Sequence, residues 1–144
     1  MQTLEYAKQQ LQTKHNTLTV LKRDASFETQ EDSFHTILGK LREDKDFFSG
    51  SVAASRLVGR ASALLLLYGG VREVYAETVS IPAVECFRSH RVKIAYDHLI
   101  DRISPEDNAL LASYESQCLD ISSPFQAYSL LCRLASGGTS NTSK

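Results

Sequence analysis

VAASRLVGRASALLLLYGGVREVYAETVS, residues 52–80, contains the most hydrophobic stretch of the chain and sets the frame for the rest. Residues 57–68 are apolar on nearly every face of a helical wheel, which predicts a helix buried all round. Gly69 and Gly70 follow it and supply a residue able to take the left-handed stop conformation. Residues 71–80 then alternate, with Val71, Glu73 and Tyr75 on one side and Arg72, Val74 and Ala76 on the other, as a strand does. Before the helix, the small residues of 48–54 fit a closely packed strand. Strand, helix and strand in this order predict a unit of an α/β sheet covered on both faces.

The pattern extends in both directions. Pro82, after Ser80 or Ile81, is a favoured first helical residue, so 82–90 reads as a short helix and 92–96 as a further strand. Ser104-Pro105-Glu106-Asp107 is a strong helix start, and Ser123-Pro124 repeats it. Upstream, Leu4, Ala7, Lys8 and Leu11 predict an amphipathic helix over 3–14. Residues 17–24 and 25–30 read as a hairpin, and Phe34, Ile37, Leu38 and Leu41 place a helix at 31–42. The expectation is an α/β sheet covered on both faces, a mixed sheet of about five strands with two extra C-terminal helices. It forms one domain over 1–135, followed by a disordered tail over 136–144.

Composition bounds the function. The chain has 144 residues and a formal net charge of -1, which excludes a strongly basic nucleic-acid binder. Its longest aliphatic run, Ala63–Leu67, is too short to span a bilayer. Three widely spaced cysteines fit reduced thiols and a cytoplasmic protein rather than a disulfide framework. There is no phosphate-binding P-loop, no dinucleotide glycine pattern and no serine nucleophile elbow. Tyr68, Tyr75, Tyr96 and Tyr114 are scattered rather than set as a stacking platform.

Arg56 and Arg60 stand at the front of the buried helix, where each cation opposes the helix dipole by roughly 0.3–1 kcal/mol if exposed. Something negative is expected opposite them. One candidate is internal, a carboxylate such as Glu73 or Glu77 on the neighbouring strand. The other is a bound anion, since free N–H groups at a helix start together with arginine make a phosphate or carboxylate site. Gly59 fits either close approach by a ligand or tight helix–sheet packing. Ser55, Arg56, Thr78 and Ser80 are expected at the carboxyl ends of the strands, where ligands of open α/β sheets lie. The candidate ligand residues are therefore Ser55, Arg56, Gly59, Arg60, Glu77, Thr78 and Ser80.

Val58, Gly59, Arg60 and Ala61, followed by Gly70-Val71 and Glu73-Val74-Tyr75-Ala76, resemble the family called domain of unknown function 1893. The resemblance extends over about residues 17–135 and is most specific between 52 and 78. It implies a cytidine-deaminase-like fold, a three-layer α/β/α sandwich, with no established activity. Ser55 departs from the family's usual Asp, and Ala112-Ser113-Tyr114-Glu115 stands where a Cys-Pro-Met-Glu run is common.

Zinc deaminases place a His or Cys and a catalytic Glu at the front of one helix and Pro-Cys-x-x-Cys at the front of the next. Here Val58-Gly59-Arg60 occupies the first position and Pro82-Ala83-Val84-Glu85-Cys86 the second, leaving Cys86 alone of three ligands. A catalytic zinc needs three protein ligands and an open position, so zinc-dependent deamination is rejected and no metal or cofactor is expected. Cys86 and His90, four apart on one helix, are a weaker metal pair set against a buried thiol and a solvated histidine. Cys86 is also the candidate nucleophile, opposed by its reading as an inert packed thiol. Cys118 and Cys132 read as core, and His15 and His35 as surface.

The leading expectation is a zinc-free deaminase-like domain that binds a small anionic or nucleotide-like ligand, with no nucleic-acid or membrane partner. Two alternatives stand beside it. One is a non-catalytic structural or regulatory module, dimerising through its terminal helices or an edge strand. The other is an enzyme of different chemistry using Arg60 with Cys86 or Glu77.

Overall fold

A computed structural model describes residues 3–140. Five strands form one sheet in the order β2-β1-β3-β4-β5. They are β1 (Leu18–Leu21), β2 (Ser26–Thr29), β3 (Val52–Val58), β4 (Glu73–Ser80) and β5 (Lys93–Ile100). β1 runs antiparallel to β2 and β3, whereas β3, β4 and β5 are parallel. The mixed five-stranded α/β sheet expected from the pattern is thus present. The helices are α1 (Leu4–Thr13), α2 (Ser33–Glu43), α3 (Arg60–Tyr68), α4 (Ile81–Ser89), α5 (Pro105–Gln117) and α6 (Pro124–Ser140).

Side-chain alternation along the strands divides the interior in two. Ala53, Val74 and Ala76 join the large core with α2 to α6, and α3 lies at its centre. On the opposite face, Val52, Ala54 and Tyr75 meet Ala7 and Leu11 of α1. The alanines of β3 let helices approach the sheet closely from both sides. Every residue of α3 from Arg60 to Leu66 is buried, as its apolar wheel requires.

The helix starts follow their capping residues. The Thr3, Asp32, Ser80 and Ser104 side chains each accept a backbone N–H at the front of α1, α2, α4 and α5. Ser104 and Asp107 form a reciprocal capping box, and Asn108 then leaves helical geometry. Its side chain accepts the Leu111 N–H, restarting α5 after the kink. At the end of α3 the chain turns through Gly70, whose φ of 82° lies in the left-handed region.

Several boundaries differ from the sequence reading: β3 spans 52–58 rather than 48–54 and β5 reaches Ile100 rather than ending at 96, and the first of these changes the site. β3 runs through Val58 rather than ending at 54, so α3 begins at Arg60 and not at 57. A buried parallel strand and a buried helix share the same unbroken apolar pattern. The Leu57–Thr78 and Val58–Val79 pairings with β4 decide in favour of strand. Arg56 is consequently a strand residue, and its spacing from Arg60 is not a helical one. Another difference lies at the far end: α6 continues past residue 135 to Ser140, and residues 141–144 lie outside the described residues.

Candidate functional site

The amino end of α3 sits beside the carboxyl ends of β3 and β4, where Gly59 caps the helix without a side chain. Its polar partner comes from α5. Glu115 Oε2 accepts the Arg60 backbone N–H at 3.0 Å, and Oε1 accepts the Ile103 N–H at 2.8 Å. The Ser80 hydroxyl donates to the same Oε2 and also accepts the Ala83 N–H as the cap of α4. Glu115 is 1% exposed, so a carboxylate of the protein itself fills the position predicted for a bound anion. Negative charge is favourable there because the N–H groups of the first turn point outward unpaired.

Gly59 is closely packed at this point. Its φ of −105° is ordinary extended backbone, but a Cβ would stand 2.4 Å from Ile103 Cδ1 and 3.3 Å from Glu115 Oε2. Ile103 and Glu115 together occupy the space beside the glycine.

The Arg60 side chain turns away from its own helix start. Nε donates to the Cys118 carbonyl at 2.8 Å, Nη1 to that of Pro82 at 3.0 Å and Nη2 to that of Ile121 at 2.6 Å. Cys118 caps the carboxyl end of α5, so the cation meets the negative pole of a neighbouring helix. One residue thus links three segments: its backbone holds Glu115, and its guanidinium holds the α5–α6 connection and the first turn of α4.

Arg56 lies on the other face of the sheet. Nη2 donates to the Leu11 carbonyl and Nε to that of Asn16, both at 2.9 Å, which satisfies the carboxyl end of α1. Its Nη1 is 3.5 Å from Glu77, one of the two carboxylates the sequence offered as an internal partner. Ser55 is buried and donates to the Thr17 carbonyl, near the Ser33 hydroxyl. Thr78 lies in β4 between Leu57 and His98. The predicted residues therefore separate: Gly59, Arg60 and Ser80 converge on Glu115, Arg56 and Glu77 meet at α1, and Ser55 and Thr78 join neither group.

Cys86 is buried on α4, and burial pushes its thiol up to about 11 despite the opposing pull of Arg60. Burial likewise takes Cys118 up to about 11. His90 caps the end of α4 and its Nδ1 contacts the Cys86 carbonyl at 2.9 Å. Among the described residues, no three His, Cys, Asp or Glu side chains gather as a metal site needs. None of the helices there is long and apolar enough to cross a membrane.

A second polar cluster borders an open groove of about 260 Å³ between α1 and β5. The Tyr75 phenol donates to Asp97 Oδ2 at 2.6 Å, and Lys8 Nζ lies 3.7 Å from Asp97 Oδ1. The Tyr75 hydrogen bond, reinforced by Lys8, holds the Asp97 carboxyl below its ordinary range. Burial and then Asp97 raise Tyr75 well above an ordinary phenol.

Glu115 and Asp97 are the two polar centres that sequence reasoning missed. Glu115 did leave a signal: it falls one turn after Leu111 and three residues before Cys118, on the apolar stripe of α5. A carboxylate on such a stripe demands buried donors. Asp97 left none, since it lies on an exposed stretch of β5 and gains its partners from α1 and β4.

A family model described as domain of unknown function (DUF1893) matches residues 6–133. Among solved structures, the fold is similar to the crystal structure of a DUF1893 family protein from Thermotoga maritima, with a TM-score of 0.77. The two are 21% identical, and the match covers 90% of this chain and 87% of that one. A search of curated proteins returned no match.

Proposed function

This chain belongs to the domain of unknown function 1893 family, and from that premise we propose that it is a non-catalytic interaction module on a cytidine-deaminase-like frame. One observation carries the reading: the α3 amino end, where a small anion was expected, already holds the Glu115 carboxylate against the Arg60 and Ile103 N–H groups. Arg60 is committed to three backbone carbonyls, and Ile103 stands against Gly59. A nucleotide phosphate would have to displace a buried, fully hydrogen-bonded carboxylate to enter. Cys86 offers little chemistry nearby, because a thiol raised to about 11 stays protonated at neutral pH.

The test is a thermal-shift panel of nucleotides, inorganic phosphate and divalent metals on the wild-type protein, with acetate on Glu115→Ala. A true ligand raises the melting temperature by mass action. The expected result is no response from wild type and an acetate-dependent rise for Glu115→Ala, whose vacated pocket keeps the Arg60 and Ile103 N–H donors. A nucleotide or phosphate that stabilises wild type in proportion to the logarithm of its concentration overturns the reading.

A further inference from the structure

The sheet ends at β5, whose outer side carries no strand among the described residues. The two edges of the sheet are built differently. β2 is four residues long, a length that limits pairing with another chain. β5 is eight residues long and contains no proline, and its pairs with β4 keep the same offset on either side of Asp97, so no inserted residue turns it away. A long straight edge of this kind presents a row of unpaired N–H and C=O groups to another strand.

Resting on the module reading, we infer that β5 pairs antiparallel with β5 of a second copy about a twofold axis at Ala95, setting Lys93 of each copy opposite Asp97 of the other. The charge pattern of the strand selects this occupant and register. Lys93 and Asp97 are the only Lys, Arg, Asp or Glu residues of β5, and their even spacing places them on one face. Antiparallel pairing about Ala95 is the one register that faces each with its opposite, and it does so twice by symmetry. The same register sets Ile94 against Tyr96 on the other face, while Ala95 meets itself without bulk.

Asp97 is prepared for the contact. Tyr75 and Lys8 hold it in place and favour its ionised form, and it is exposed. Lys93 is exposed and has no carboxylate within ion-pair distance among the described residues. Pairing would join the two sheets edge to edge and bring the two α1 grooves, each lined in part by Lys93 and Asp97, side by side.

Sedimentation of the full chain over a concentration series tests the pairing, together with Lys93→Asp, Asp97→Lys and an equimolar mixture of the two. Wild type is expected to dimerise, with β5 amides gaining hydrogen-exchange protection as concentration rises. Each variant faces two like-charge contacts and should dissociate at about tenfold higher concentration or more. The mixture should regain the dimer, since one copy then offers two acids and the other two bases. Lys93→Asp, with no ion-pair partner in its own copy, carries the test if Asp97→Lys fails to fold. Wild type that stays monomeric up to its solubility limit overturns the pairing, as does Lys93→Asp dimerising as tightly as wild type. Neither outcome touches the module reading, which falls only to a stabilising ligand.

Discussion

Glu115 Oε2 lies 3.0 Å from the Arg60 backbone nitrogen and also takes the Ser80 hydroxyl, so one carboxylate closes the starts of two helices. It comes from α5, fifty-five positions along the chain from Arg60. The positive pole of a buried helix thereby finds its counter-charge inside the protein.

The first expectation concerns Arg60. Arg60→Lys keeps the charge but replaces a rigid fork with one ammonium, which cannot reach the Cys118, Pro82 and Ile121 carbonyls together. Urea denaturation should show a loss of about 2–3 kcal/mol. A variant as stable as wild type removes the structural role assigned to this side chain.

Gly59 and Ile103 should be coupled. Gly59→Ala drives a methyl to 2.4 Å from Ile103 Cδ1 and should cost about 1–3 kcal/mol. Ile103→Val deletes that methyl, so the double variant should lose clearly less than the sum of the two singles. A double-mutant cycle in denaturant measures this; strict additivity refutes the steric account.

The thiols should separate by reactivity. Cys86 and Cys118 are buried and raised to about 11, so both are protonated at pH 8 and shielded. Cys132 is only half-buried. Mass spectrometry after brief native treatment with iodoacetamide should find Cys132 alkylated first. Fast labelling of Cys86 would restore it as a candidate nucleophile.

The Tyr75–Asp97 hydrogen bond has a pH signature at both ends. Asp97 is depressed in the folded state, so its contribution is present above the ordinary Asp value and lost as pH falls through the folded one. Tyr75 is raised, so its contribution is present below pH about 10 and lost as pH rises beyond it. The stability difference between wild type and Tyr75→Phe should be largest near neutrality and narrow in acid and in alkali. A difference independent of pH contradicts the assignment, and NMR titration of Asp97 in Tyr75→Phe should show its carboxyl moving upward.

Much of the fold was legible because local signals agreed with it. Ser104-Pro105 and Ser123-Pro124 mark the starts of α5 and α6, Gly70 marks the stop after α3, and the alternation of 71–80 marks β4. The candidate site was legible only in part. Gly59, Arg60 and Ser80 do converge, but Arg56 was set beside Arg60 at the front of the helix because buried strand and buried helix look alike over Leu57-Val58. That boundary moved its guanidinium to the opposite face of the sheet, against α1 and Glu77.

By itself the sequence determined the order of helices and strands, the buried character of α3, and the need for negative charge near its arginines. Those follow from periodicity, capping and dipole electrostatics, which act within a few residues of chain. Only the tertiary structure decided which charge answers. Glu115 and Asp97 acquire their partners across the fold, and contacts between segments distant in sequence leave no spacing by which to read them.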